Sequence, residues 1–375
     1  MNYFIKNIHI NKLFHLENFD IPIADEKYPH LIITGKNGSG KTVLLNAMTE
    51  SLNNLIRESS FGILKQLFSG KVDVQFCDLK SIEEKYKRHD FIIAFYQADR
   101  KIKMTEPKSP IKPVFIHVGI RDTSTDQFLA FLSDLKIQEA LARNENQIQD
   151  ADEIKNWFVE FEKLLQQIFQ DDNLKLEFDY KNYYFWINTE GKRFKFTELS
   201  DGFAAALDIV ADIIIKMQTG NSLTRDYLKE GIVLIDEIET HLHLGLQKII
   251  MPLLTQVFPN VQFIVTTHSP FVLSSMPNAI AYDLEHKEIL DDLTEYSYES
   301  LAEGYFGVRT QSSYSEMQLE TLKKLLEKET WTDSDKVEIR QLKSDFEKIP
   351  ETVSPLVVGG FRQMMIQYAD KLKSL

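Results

Sequence analysis

Eight residues, GKNGSGKT from Gly35 to Thr42, keep the spacing G-x-x-x-x-G-K-[ST] at every fixed position. A glycine-rich loop between a buried strand and a helix turns backbone N–H groups toward phosphate oxygens, and the helix N-terminus adds its positive end. Lys41 is then placed to reach the outer phosphates and Thr42 to offer its hydroxyl to Mg²⁺. Far along the chain, GIVLID ends in Asp236 followed by Glu237. An acid pair at the end of a buried strand suits a Mg²⁺ ligand, Asp236, and a general base for the attacking water, Glu237. In FIVTTHSP, His268 stands at the end of the next strand, where its imidazole N–H can reach a terminal phosphate. Gln97, after FIIAFY, ends another strand and is a candidate for Mg²⁺ or the attacking water, with Arg100 beside it for phosphate or a partner.

These residues need a sheet whose strand ends converge. HLIITG, HDFIIAFY, KPVFIHVG, GIVLID and VQFIVTT are short apolar runs of the kind buried parallel strands show. Helical patterns follow several of them, which predicts a mostly parallel α/β sheet with ligands at the C-terminal strand ends. YFIKNIHINKLF and FDIPI predict an antiparallel N-terminal pair. Two amphipathic helices are expected from about 123 to 169, then a meander of LKLEFDY, YYFWIN and RFKF. The aromatic run is expected to be a packed strand rather than a base-stacking platform. After about residue 285 the chain turns to charge-rich helices. The expected division is a head over 1–285, with an insertion at about 101–192, and a helical region over 286–375.

FTELSDGFAAALDIV sets a Ser-Asp-Gly turn before an apolar helix. Ser200 or Asp201 can cap that helix, but Gly202 is a costly residue for a helix start. ETHLH offers His241 and His243, which two positions apart do not share a helix face, so a structural or contact role is expected rather than a transition-metal site.

Composition excludes some classes. The chain has 375 residues, 43% of them hydrophobic, and a formal net charge of −13, which does not suit sequence-blind nucleic-acid binding. The basic stretch KSIEEKYKRH with DRKIK is the candidate for a local nucleic-acid contact. A single cysteine, Cys77, excludes an intrachain disulfide, fits a reducing compartment and is expected to be buried in VDVQFC. No leader pattern or apolar run long enough for a membrane span is seen, so a cytoplasmic location is expected.

GKNGSGKT, LSDGF, VLIDEIETHLH and TTHSP, in that order, resemble the ABC-type ATPases. Within them they look like the RecF/SMC-like single-head group that includes the OLD-type and Septu-type ATPases of bacterial defence operons. The resemblance runs from the N-terminus to about Leu284 and is weak between about Lys101 and Lys192. It implies a P-loop NTPase fold of ABC-ATPase type, with ATP and Mg²⁺ as ligands. Gly35, Asn37, Gly38, Gly40, Lys41 and Thr42 match its phosphate loop, and Gln97 its Q-loop. Leu199, Ser200, Asp201 and Gly202 match its signature, Asp236 and Glu237 its Mg²⁺ ligand and base, His268 its switch histidine. In such proteins two heads pair head-to-tail, so Ser200 and Gly202 are expected to serve the ATP held by another copy.

Asp201 and Phe203 depart from the Gly and Gln usual in transporters, and the stretch from Lys41 to Ser200 is too short for a long SMC coil. No TOPRIM-like acidic cluster follows the His268 strand, so cutting of nucleic acid is expected from a partner. The resemblance implies an ATPase controlling such an effector in antiphage defence. The alternatives are a RecF-like ATPase acting directly on DNA and, less well matched, a transporter subunit.

Overall fold

The computed structural model describes residues 4–23, 29–56, 70–100, 104–113, 119–218, 228–290, 293–294, 296–304, 313–350, 354–373 and 375. The chain divides into two units, Met1–Tyr298 and Glu299–Leu375.

In the first unit, β1 (Ile5–Leu13) and β2 (Leu16–Pro22) pair antiparallel, and β4 (Val72–Phe76) joins the other edge of β1. The main sheet contains β3 (His30–Thr34), β5 (Phe91–Tyr96), β9 (Glu230–Ile235), β10 (Val261–Thr266), β11 (Ala279–Asp283) and β12 (Glu288–Leu290), in the order β12-β11-β3-β10-β9-β5. All neighbours in it are parallel except β11 and β12. β3, β5 and β10 are buried at every position, as expected of strands covered on both faces. The hairpin β11–β12 differs from the expected helices beyond residue 285, because β12 lies inside that stretch. The KPVFIHVG strand falls largely outside the described residues.

Helix α1 (Lys41–Ile56) starts from the phosphate loop and buries Leu44, Leu45, Met48 and Leu52 in one core with β1, β3 and β5. The shorter α2 (Leu79–Lys87) packs Ile82 and Tyr86 into the same core. The expected insertion helices are α3 (Phe128–Asn144) and α4 (Ile148–Phe169), followed by the meander β6 (Lys175–Asp179), β7 (Tyr184–Thr189) and β8 (Lys192–Lys195). Phe128, Phe131, Trp157, Phe161, Phe185 and Phe196 join these elements through ring contacts. In β7 the run divides by strand alternation: Phe185 and Ile187 are buried, while Tyr184 and Trp186 face out under Lys195 and Arg193. Helix α5 (Asp201–Met217) is buried nearly all round and packs against β5, and α6 (Leu244–Val257) follows β9.

The second unit has its own core. Helices α7 (Ser313–Glu327), α8 (Asp333–Glu347) and α9 (Pro355–Gln367) bury Leu322, Leu326, Ile339, Phe346, Val357 and Phe361 together.

Cys77 corrects an expectation, because it is exposed. In the β4 stretch Val72, Val74 and Phe76 turn inward while Asp73, Gln75 and Cys77 turn out. The alternation that makes β4 a half-buried strand therefore places Cys77 on its polar face.

Candidate nucleotide site

Sheet register assembles the site. Tyr96, Ile235, Val265, Ile32 and Ala281 lie opposite one another across β5, β9, β10, β3 and β11. The chains that leave these strands carry Gln97, Asp236 and Glu237, His268, and the phosphate loop. The parallel pairing continues past the strand ends, with Asp236 N–H donating to Tyr96 O at 2.8 Å and Thr267 N–H to Ile33 O at 3.0 Å. Residues spread over most of the chain thus reach one sheet edge, where ligands of open α/β sheets collect.

A cavity of about 330 Å³ opens there. Asn37, Gly38, Gly40, Lys41 and Thr42 form one wall, Glu237 and His268 another. Gly35 and Asp236 flank it without lining it, Gln97 is exposed outside it, and Ser200 and Gly202 are not part of it. Gly40 adopts φ 101°, and a Cβ there would come within 2.9 Å of Leu16, so the loop turn needs glycine. Lys41 donates to Gly35 O at 2.8 Å and Lys36 O at 3.1 Å. Its burial pushes the ammonium below the ordinary lysine range, while Glu237, Glu239 and Asp236 push back. Glu285 anchors the loop from outside, through Lys36 Nζ at 3.0 Å.

The sequence reading missed the third wall, formed by Leu13, Phe14 and His15 at the β1–β2 turn. Phe14 has φ 56° and is 68% exposed, and His15 Nε2 lies 3.1 Å from Ser39 O. An aromatic ring presented beside a phosphate loop is suited to stack on a base.

The acids are held by the end of β10. Thr266 Oγ1 donates to Asp236 Oδ1 at 2.7 Å and accepts from Glu237 N–H at 2.8 Å. Glu237 adopts φ 44°, a left-handed conformation uncommon outside glycine. Glu239, also missed, is largely buried; it accepts from Thr267 Oγ1 at 2.8 Å and from the His268 N–H. Burial raises the Glu239 carboxyl, and those hydrogen bonds oppose the shift. Burial, then the charge of Lys41, holds the His268 imidazole below its ordinary range. A hydroxyl at Thr42 and a carboxylate at Asp236 are hard oxygen donors of the kind Mg²⁺ takes. Among the described residues no group of three or more His, Cys, Asp or Glu could hold a metal by itself.

Arg100 departs from the sequence reading. It does not line the cavity and donates to backbone carbonyls of the loop after β9. Ser200 is the N-cap residue of α5, yet its side chain makes no capping hydrogen bond. It lines a separate cleft with Phe169, Phe194 and Phe203. The glycine in LSDGF has a local reason: a Cβ on Gly202 would stand 3.0 Å from His241 O, so the turn packs tightly on the loop after β9. His243 caps α6, its Nδ1 accepting from Leu246 N–H at 3.3 Å, in keeping with a structural role. In the basic stretch Lys85 pairs with Glu230 and Arg88 with Glu84.

Residues 96–274 match a family model described as "AAA domain, putative AbiEii toxin, Type IV TA system". The match takes in Gln97, the Ser200 turn, Asp236, Glu237 and His268, and lies downstream of the phosphate loop. The chain is 26% identical over 311 residues to the Septu protein PtuA of Bacillus mycoides (strain KBAB4), covering 76% of this chain and 41% of that protein. It is 36% identical over 113 residues to the "Retron Vc95 probable ATPase" of Vibrio cholerae serotype O1 biovar El Tor, covering 30% of this chain and 21% of that protein. The matched stretch is thus less than half the length of either relative. Among solved structures, the SMC head domain from Thermotoga maritima aligns with a TM-score of 0.37 at 15% identity, covering 74% of this chain and 94% of that one. Residues 96–274 thus resemble an AAA domain, and the chain is similar to a Septu protein and to a retron probable ATPase.

Proposed function

We propose that the chain binds ATP at this cavity and hydrolyses it, and that the cycle controls a partner effector, a nuclease, in antiphage defence. The observation that carries the reading is that Glu237 and His268 share one cavity with Lys41 and the phosphate loop. The defence role rests on the Septu and retron relatives by name. The phosphate-loop amides and Lys41 hold the phosphates. Glu237 takes a proton from water as the water oxygen attacks the γ-phosphorus and the bond to the bridging oxygen breaks. His268 donates a hydrogen bond to the transferring group through its neutral ring. Mg²⁺, when held by Thr42 and Asp236, with Gln97 as a further contact, offsets charge building on the phosphate oxygens. Ser200 and Gly202 complete the site of another copy in a head-to-tail dimer.

The test is a pair of variants. Glu237→Gln should keep ATP binding and lose turnover by a factor on the order of 10²–10⁴, the usual range for general-base loss, while Lys41→Ala should lose binding. Wild-type turnover in Glu237→Gln would remove the general-base assignment.

A further inference from the structure

One guanidinium ties together parts of the site that the sequence keeps far apart. Arg100 Nη1 donates to Gln97 O at 3.2 Å and Asp236 O at 3.1 Å. Its Nη2 donates to Glu237 O at 3.3 Å, Ile238 O at 3.4 Å and Thr240 O at 3.3 Å. The loop it grips contains two left-handed residues, Glu237 at φ 44° and His241 at φ 70°. Such conformations persist where the surroundings over-determine them. On the opposite side the same loop is held by β10, through Ile238 N–H to Thr266 O at 3.1 Å and Glu237 N–H to Thr266 Oγ1 at 2.8 Å.

A planar fork with several fixed donors can satisfy carbonyls that point at one spot, and a lysine ammonium cannot match that arrangement. The charge is also placed on purpose. Asp208, buried on α5, is the foremost of the carboxylates that keep Arg100 charged despite its burial. The same helix bonds β5 directly, with Tyr96 Oη donating to Asp212 Oδ2 at 2.7 Å. Arg100 therefore touches the Gln97 turn and the loop of the acids, and faces the helix that begins at the Ser200 turn.

We propose that Arg100 is a positioning residue that fixes the backbone at Glu237, so that the aim of the Glu237 carboxylate follows the Gln97 turn. Arg100 does not line the cavity; it acts through the loop carbonyls. A ligand that shifts Gln97 moves the shared guanidinium, and with it the carbonyls of Asp236 and Glu237. This deepens the hydrolysis reading and rests on it for the kinetic part only.

The experiment compares wild type, Arg100→Lys and Arg100→Gln, each checked for folding by circular dichroism. Amide exchange is first followed without nucleotide. Amides of Glu237, Ile238, Thr240 and Leu242 should exchange on the order of tenfold faster in both variants, with β3 and β10 unchanged. With a fluorescent ATP analogue, affinity should stay within about threefold of wild type, while kcat falls on the order of 10²-fold, the scale of a misplaced catalytic group. Unchanged loop exchange, or exchange that rises equally across β3 and β10, overturns the proposal. So does a loss of kcat matched by an equal loss of analogue affinity. A wild-type chain that never turns over ATP would defeat the hydrolysis reading instead, and the exchange result would still decide the role of Arg100.

Discussion

A histidine that hydrogen-bonds a phosphate through a neutral ring must resist protonation, and the surroundings of His268 arrange that. Burial and the charge of Lys41 both disfavour the imidazolium, so the midpoint falls below the ordinary 6.5. A depressed value means the neutral form persists to lower pH than in a free histidine. A side-chain NMR titration of the nucleotide-free protein should therefore give His268 a midpoint below 6.5. A midpoint at or above 6.5 would contradict the described site. The residues legible in sequence were those that carry their own context: Lys41 inside a fixed motif, Asp236, Glu237 and His268 at the ends of apolar runs. Phe14, Glu239 and the carbonyl contacts of Arg100 were not legible. Phe14 depends on a left-handed turn beside a loop that follows it by 21 residues or more, and Arg100 depends on carbonyls 136 to 140 positions away.

At the scale of elements, β3 and β10 carry the phosphate loop and His268, and a buried histidine joins them. His30 is 2% exposed, and its Nδ1 accepts from Phe263 N–H at 3.2 Å, which requires a neutral ring with the proton on Nε2. Burial lowers its pKa to about 4. The unfolded chain titrates near 6.5, so between that pH and about 4 it binds more protons than the folded one. Stability is whole above 6.5, falls as pH drops through this window and levels off below it. The loss amounts to roughly 3 kcal/mol. Urea unfolding at pH 7 and pH 4.5 should show a smaller difference in His30→Phe than in wild type by about 2 kcal/mol, since the rest of the loss falls below pH 4.5; equal differences would refute the account. The strands themselves were readable because apolar runs of five or six residues between turns have few other uses in such a chain. The β11–β12 hairpin escaped because β12 is three residues long and sits in a charged stretch, EHKEIL, with no apolar run to mark it.

For the whole molecule the telling fact is a separation. Lys41 lines the cavity, while Ser200 lines a different cleft of the same chain, an arrangement in keeping with the proposed head-to-tail pairing. Mixing Ser200→Arg with Lys41→Ala tests this, because each mixed pair would rebuild one intact site. A 1:1 mixture should recover roughly a quarter of the wild-type sites, and no recovery would count against shared sites. The packing of Gly202 on His241 O explains the glycine without any ligand, which the sequence alone could not do. The exposed side chain of Cys77 has one more use. A chain with a single thiol on its surface takes one maleimide dye at one known position with no engineering. Separate batches labelled with donor and acceptor would then report energy transfer as copies meet, and ATP could be added or removed while the signal is read.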